Sequence, residues 1–216
     1  MKWAVICLAI LLSGCGHRTE QSVLPDNVTD FAALYGPNCA GCHGPDGRNG
    51  AARPLNDPLY LALIGKEKLR DVIANGVPRT AMPAFAQNAG GTLTDQQVSL
   101  LAEQIEERWS HAQDFAGVAL PPYSSDLGDA NRGEAVFQTY CSKCHSDDKP
   151  GNSIMDPAFL SLVSDQSLRT TVITGRADRN SPAADRALTA QEISDVVAWL
   201  AAHRTGNLLK GELTLR

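Results

Sequence analysis

One unit is written twice in this chain of 216 residues, and each copy holds a Cys-x-x-Cys-His pentapeptide. "ALYGPNCAGCHGPDG" runs beside "AVFQTYCSKCHSDDK", with the pentapeptides at 39–43 and 141–145. "PLNDPLYLALIGKEKLRDVIANG" runs beside "SIMDPAFLSLVSDQSLRTTVITG", and "LTDQQVSLLAEQI" beside "LTAQEISDVVAWL". Three matched blocks in one order mark an internal duplication, so the chain is expected to fold as two small units. Composition limits each of them: 43% of residues are apolar but only 6% aromatic. A unit of this size has a modest core and gains from a large buried prosthetic group.

Residue patterns divide the chain further. Lys2 precedes "WAVICLAILL", an apolar run too short to span a membrane comfortably, and "LSGC" at 12–15 follows it. Residues 1–14 therefore read as a secretory signal. "LSGC" resembles a bacterial lipobox, which implies lipidation of Cys15 and a membrane tether. Residues 15–27 read as that lipidated start and a flexible tether, 28–113 as the first domain and 114–130 as a linker rich in Pro, Gly, Ser and Asp that lets the domains move. The second domain is placed at 131–204 and a tail at 205–216.

Periodicity inside the units is helical. Val136 and Phe137 fall on one side of a helix over 130–140, and Leu168, Val172 and Ile173 are spaced for another that stops at Gly175. Thr189 with Glu192 forms a capping box, placing Ile193, Val196, Val197 and Leu200 on one face; Thr94 and Gln97 stand in the matching places. No alternating strand pattern stands out, so the fold class is all-α.

The six cysteines are all accounted for. Cys7 leaves with the signal, Cys15 takes lipid, and Cys39, Cys42, Cys141 and Cys144 all lie in CxxCH. That spacing lets two thiols form thioethers to haem vinyl groups while the next histidine projects to the iron. A disulfide framework leaves His43 and His145 unexplained, and a thioredoxin-type motif lacks its βαβ surroundings. Two covalent c-type haems are therefore expected.

Both halves resemble the class I cytochrome c family over most of their length. The resemblance implies tandem domains with an N-terminal helix leading into CxxCH, a middle helix, a Met-Pro ligand loop and a C-terminal helix. In "VIANGVPRTAMPAFA" it makes Met82 the distal ligand opposite His43, and it makes His145 the proximal ligand of the second haem. Thioether sulfur is a soft donor that favours ferrous iron. The family usually has a glycine eight residues before the first haem cysteine, where the terminal helices cross. Gly133 holds that place in the second half, with Phe137 and Trp199 as aromatic contacts; the first half has Phe31, opposite Gln104, and an altered crossing is expected.

The second half departs from the family at the distal ligand. Aligning Gly76 with Gly175 puts Met82 on Ser181, Pro83 on Pro182 and Phe85 on Ala184. Between Phe159 and Ala202 there is no Met, His, Cys, Lys or Tyr. A neutral hydroxyl is a poor iron donor. Outside that segment stand Met155, more in keeping with packing, His203 at the end of the last helix, and His111 in the linker.

The resulting expectation is a lipid-anchored electron carrier facing the periplasm, with respiratory redox proteins as partners. The competing reading is a gas- or peroxide-binding haem protein that uses an open second iron beside Arg176, Asp178, Arg179 and Asn180; a third is a haem subunit of a larger membrane complex. With 19 Lys and Arg against 24 Asp and Glu and no basic run, nucleic acid is not a partner.

Overall fold

A computed structural model describes residues 25–78, 80–145, 154–176, 183 and 188–204. Cys7 and Cys15, the loop positions Asp178, Arg179, Asn180, Ser181, Pro182 and Ala184, and the tail lie outside the described residues. Among those described, every regular element is helical, apart from isolated bridge residues: Ala86 with Leu93, and Arg176. None of the helices is long and apolar enough to cross a membrane.

The first CxxCH closes a helical run assembled in three pieces. Helix α1 (Phe31–Tyr35) starts where the Asp30 carboxylate accepts the Ala33 amide at 2.8 Å. Pro37 then removes a donor, and the chain widens into one π turn (Gly36–Ala40) before α2 (Gly41–His43). Next come α3 (Pro58–Ile64), capped by Asp57, α4 (Lys66–Asn75) and the long α5 (Asp95–Trp109). The second half repeats the order: α6 (Ala130–Tyr140), α7 (Ser142–His145), α8 (Pro157–Leu162), α9 (Asp165–Thr174) and α10 (Ala190–Ala202). Gln138 and Thr139 replace Gly36 and Pro37, so α6 runs unbroken.

Both capping boxes form as the spacing predicts. Thr94 and Gln97 bond each other's backbone amides at the head of α5, and Thr189 and Glu192 do so at the head of α10. The expected apolar face of α10 is fully used, with Ile193, Val196, Val197 and Leu200 all at 2% exposure or less. Each such side chain contributes roughly 1.5–3 kcal/mol by burial.

Two apolar cores result. One gathers Leu61, Leu69, Val98, Leu101 and Ile105; the other gathers Leu160, Ile173, Ile193, Val196 and Leu200. They are not independent, because Leu63 of α3 is buried in the second core and Tyr123 packs against both.

The segment between the halves is held rather than loose, which differs from the mobile linker expected. Arg169, 4% exposed, donates to the Pro122 carbonyl from Nε and Nη2, and Gln166 Nε2 donates to the Tyr123 carbonyl at 2.7 Å. Gly128 N reaches Ser194 O, and Asp129 N reaches the Asp195 carboxylate. Residues 25–27, assigned to the tether, form a 3-10 turn. The buried Gln97 amide ties it down, donating to Pro25 O at 2.8 Å and Val28 O at 3.1 Å.

Candidate functional site

The two pentapeptides are presented alike. Cys39 and Cys141 are half-buried, Cys42 and Cys144 exposed, and all four thiols are free. Burial, with Cys42 nearby as the lesser cause, pushes the Cys39 thiol up to about 12, and burial also raises Cys141. A dithiol catalyst needs the opposite shift, so this chemistry does not fit a redox-exchange motif.

In the first half the histidine is aimed by its backbone surroundings. His43 Nδ1 lies 2.7 Å from the Arg53 carbonyl oxygen. A carbonyl only accepts, so Nδ1 carries the proton and Nε2 presents its lone pair. This is how an imidazole is oriented for a metal by an outer partner. Burial lowers the His43 pKa from its ordinary value, with the carbonyl bond opposing, which favours the neutral, ligating form. Tyr35 Oη donates to Gly44 O at 2.9 Å and fixes the turn behind the ring.

Met82 occupies a loop, as the sequence predicts, and is half-buried. The loop folds back on the end of α4: Val77 N donates to Met82 O at 3.0 Å, and Phe85 N and Ala86 N reach Ala74 O. Gly76 makes the approach possible. Its φ is 67°, and a Cβ there would stand 2.6 Å from the Met82 carbonyl oxygen.

The second half keeps this hinge. Gly175 caps α9 with φ 68° and ψ −162°, against 67° and −168° at Gly76. The three outlying donor candidates have other contacts. Met155 packs against the second core. His203 Nδ1 donates to Trp199 O at 2.8 Å, with its ring 4.5 Å edge-on from Trp199. His111 lies 3.5 Å from Asp114 on the surface.

The helix crossings differ as expected. A Cβ at Gly133 would lie 2.1 Å from Asp195 O and 2.6 Å from Trp199 Cβ, so α6 and α10 touch backbone to backbone. Phe137 packs on Trp199 at 4.6 Å. In the first half Phe31 instead stacks on Tyr35 at 5.1 Å, meets the edge of Trp109 at 6.1 Å and lies under the Arg108 guanidinium.

Sequence reasoning missed Arg53 and Asp195. Arg53 reaches across the halves, donating from Nη2 to Thr171 Oγ1 at 2.6 Å and from Nη1 to Thr174 Oγ1 at 2.9 Å. Asp195 accepts from Asp129 N, Arg132 and Gln191, and the Arg132 guanidinium is the main cause holding its carboxyl down at about 2. An aspartate on the apolar stripe of α10 is the only sequence trace of the second. Nothing local announces the first, because its partners lie more than a hundred positions away.

The model of the family described as Cytochrome C oxidase, cbb3-type, subunit III matches residues 26–105 and again 128–200. The chain belongs to this family. Its fold is that of tandem class I c-type cytochrome units, and its cofactors are two c-type haems, which the donor sets above fit. The fructose dehydrogenase cytochrome subunit of Gluconobacter japonicus is 34% identical over 117 residues, covering 47% of this chain and 23% of that protein. The cbb3-type cytochrome c oxidase subunit FixP of a Bradyrhizobium species is 28% identical over 158 residues, 67% of this chain and 50% of that one. The chain thus spans half or less of the length of these curated relatives. A Kuenenia stuttgartiensis reducing HAO-like protein complex aligns over 84% of the chain at 18% identity and a TM-score of 0.49, a likeness too loose to argue from.

Proposed function

We propose that this cytochrome carries electrons between membrane-associated respiratory partners, held to the membrane by lipid on Cys15 and facing the periplasm. Cys39 and Cys42 attach the first haem and Cys141 and Cys144 the second, with His43 and His145 as proximal ligands. Met82 completes the first iron's coordination. The second iron has no strong protein donor on its distal side, because Ser181 stands in register with Met82.

The observation that carries this reading is the His43 imidazole, locked by the Arg53 carbonyl with Nε2 left for a metal beside two free thiols. Haem supplies one-electron redox chemistry at each site. The chain's own residues hold it, fix the imidazole tautomer and place a soft sulfur donor on a folded loop. Each turnover takes one electron from a reduced partner and passes it to an oxidised one. Support for such partners comes from relatives named as subunits of an oxidase and a dehydrogenase.

Haem and carbon monoxide stoichiometry test the reading together. The purified chain is expected to yield two covalent haems and, when dithionite-reduced, to bind one CO. Two haems that both refuse CO would place a strong sixth ligand on the second iron, and Met155 would be the first residue to substitute. Palmitate labelling that survives Cys15→Ser would remove the lipid anchor.

A further inference from the structure

The duplication gives both halves the same short helix after the attachment motif, but only one of the two copies is covered. α3 and α8 both begin with Asp-Pro, and in each the aspartate caps the first turn. Their inward faces are used alike, with Leu61 at 1% exposure and Leu160 at 0%. The outward faces differ. Tyr60 and Leu63 of α3 are 6% and 8% exposed, whereas Phe159 and Leu162, which align with them, are 43% and 66% exposed. What covers α3 is the second half with the segment leading to it. The turn Ala112–Phe115 and α9 both pack against α3, Leu63 is buried in the second core, and Tyr123 touches both cores.

Single exposed apolar side chains need no explanation, but these two stand in register with an interface that the same chain makes elsewhere. The polar fastening of that interface is what the second copy lacks. Arg53 lies over Tyr60 at 5.5 Å and donates to Thr171 and Thr174 of α9. The sequence has Asn152 and Phe159 in the places of Arg53 and Tyr60, which removes a cation and a hydroxyl. A face that keeps its apolar anchors and drops its charged lock suits a contact that forms and separates, as electron-transfer pairs do through small interfaces. A second copy of this chain fits the face poorly. Its α4 would have to do what α9 does, yet α4 carries Asp71, Val72 and Asn75 where α9 carries Thr170, Thr171 and Thr174. Asp71 is paired with Lys68, and burying that pair against Phe159 and Leu162 costs desolvation. Such a head-to-tail contact would also build an open chain of copies rather than a closed dimer.

We propose that the outward face of α8, anchored by Phe159 and Leu162, docks another c-type haem unit, carried by a redox partner. That unit presents what the second half presents to the first: the end of a helix lined with small hydroxyl side chains, beside an aromatic ring. The proposal rests on the electron-carrier reading above. It sets the partner against the second half as the second half is set against the first.

The test uses the full dihaem protein. Leu162→Cys offers one reactive thiol, since the haem cysteines are held as thioethers and Cys15 takes lipid. The purified variant, labelled there with benzophenone maleimide and returned to membranes of the producing cells, is illuminated. The expected adduct joins the chain to a second protein and contains more than two covalent haems. Phe159→Ser with Leu162→Glu is expected to slow electron exchange with the cytochrome so identified about tenfold or more, while two haems per chain and the denaturation midpoint are kept. Val118→Glu alters a similarly exposed apolar residue away from α8 and should leave the rate unchanged. An adduct with a haem-free protein, with a second copy or with residues 205–216 of the same chain would overturn the proposal, and so would no adduct. An unchanged rate in the double variant, or an equal loss in Val118→Glu, would overturn it too. If the unaltered protein exchanges no electrons with any cytochrome of those membranes, the carrier reading fails instead.

Discussion

The two halves agree most closely at the ends of their middle helices and the heads of their final ones, and least where their terminal helices cross. α4 and α9 are both ten residues long and stop at glycines whose backbone angles differ by only a few degrees. Both final helices open with the same threonine-led box. Yet the terminal helices of the second half cross on Gly133, while those of the first are separated by an aromatic cluster of Phe31, Tyr35 and Trp109. Asp195 anchors the chain entering α6, where the first half has Leu100 in the equivalent place. A duplicated frame thus tolerates two solutions to one packing problem, and the first half reaches its CxxCH through a π turn where the second runs as one helix.

Swapping the features that differ is the strongest way to break this comparison. Met82→Ala should make the first site behave like the second, so that the reduced protein binds two CO instead of one; a single CO would mean that the halves differ for another reason. Gly133→Ala should come next. Its Cβ meets backbone within 2.1 Å, and forcing the helices apart should cost about 3 kcal/mol, read as a lower denaturation midpoint. Phe31→Ala, by contrast, relieves no clash and only leaves a gap.

Asp195→Asn should cost roughly 2 kcal/mol through a weakened charge-assisted network. The same group gives the halves different acid sensitivity. Its folded-state carboxyl lies near 2 against an ordinary 3.8, so its stabilisation is fully present above about pH 4 and is lost as pH falls toward 2. Tryptophan fluorescence followed through an acid titration should therefore show the Trp199 half loosening before the Trp109 half. The smallest effects sharpen the likeness. Thr94→Ala and Thr189→Ala should each cost about 1 kcal/mol, and a large disparity would mean that the two caps are not equivalent.

What could be read in the sequence was what a short window encodes. The capping boxes, the stop at Gly175, the apolar face of α10 and the close crossing at Gly133 each depend on residues within a helical turn or on a family pattern. The Met82 loop was legible because Gly and Pro punctuate it. The edge contact of Phe31 with Trp109 was not, since Trp109 is not the residue aligned with Trp199. Arg53 was hidden for a different reason. An arginine in a polar loop has many outlets, and only the folded chain shows that its outlet is the end of a helix in the other half. The pinned linker was missed likewise, because a Pro- and Ser-rich composition reports the lack of regular structure and says nothing about hydrogen bonds received from Arg169 and Gln166.

The Gln97 clamp has a mechanical consequence. Any force applied to the chain ahead of Pro25 reaches the folded body through two amide hydrogens of a side chain only 2% exposed, with Asp26 and Gln87 as a second strap. The load enters at the head of α5, at the residue that also closes its capping box. With the lipid tether proposed on Cys15, a pull from the membrane would strain the first turn of α5 first, and the attachment motif would be shielded for as long as Gln97 holds.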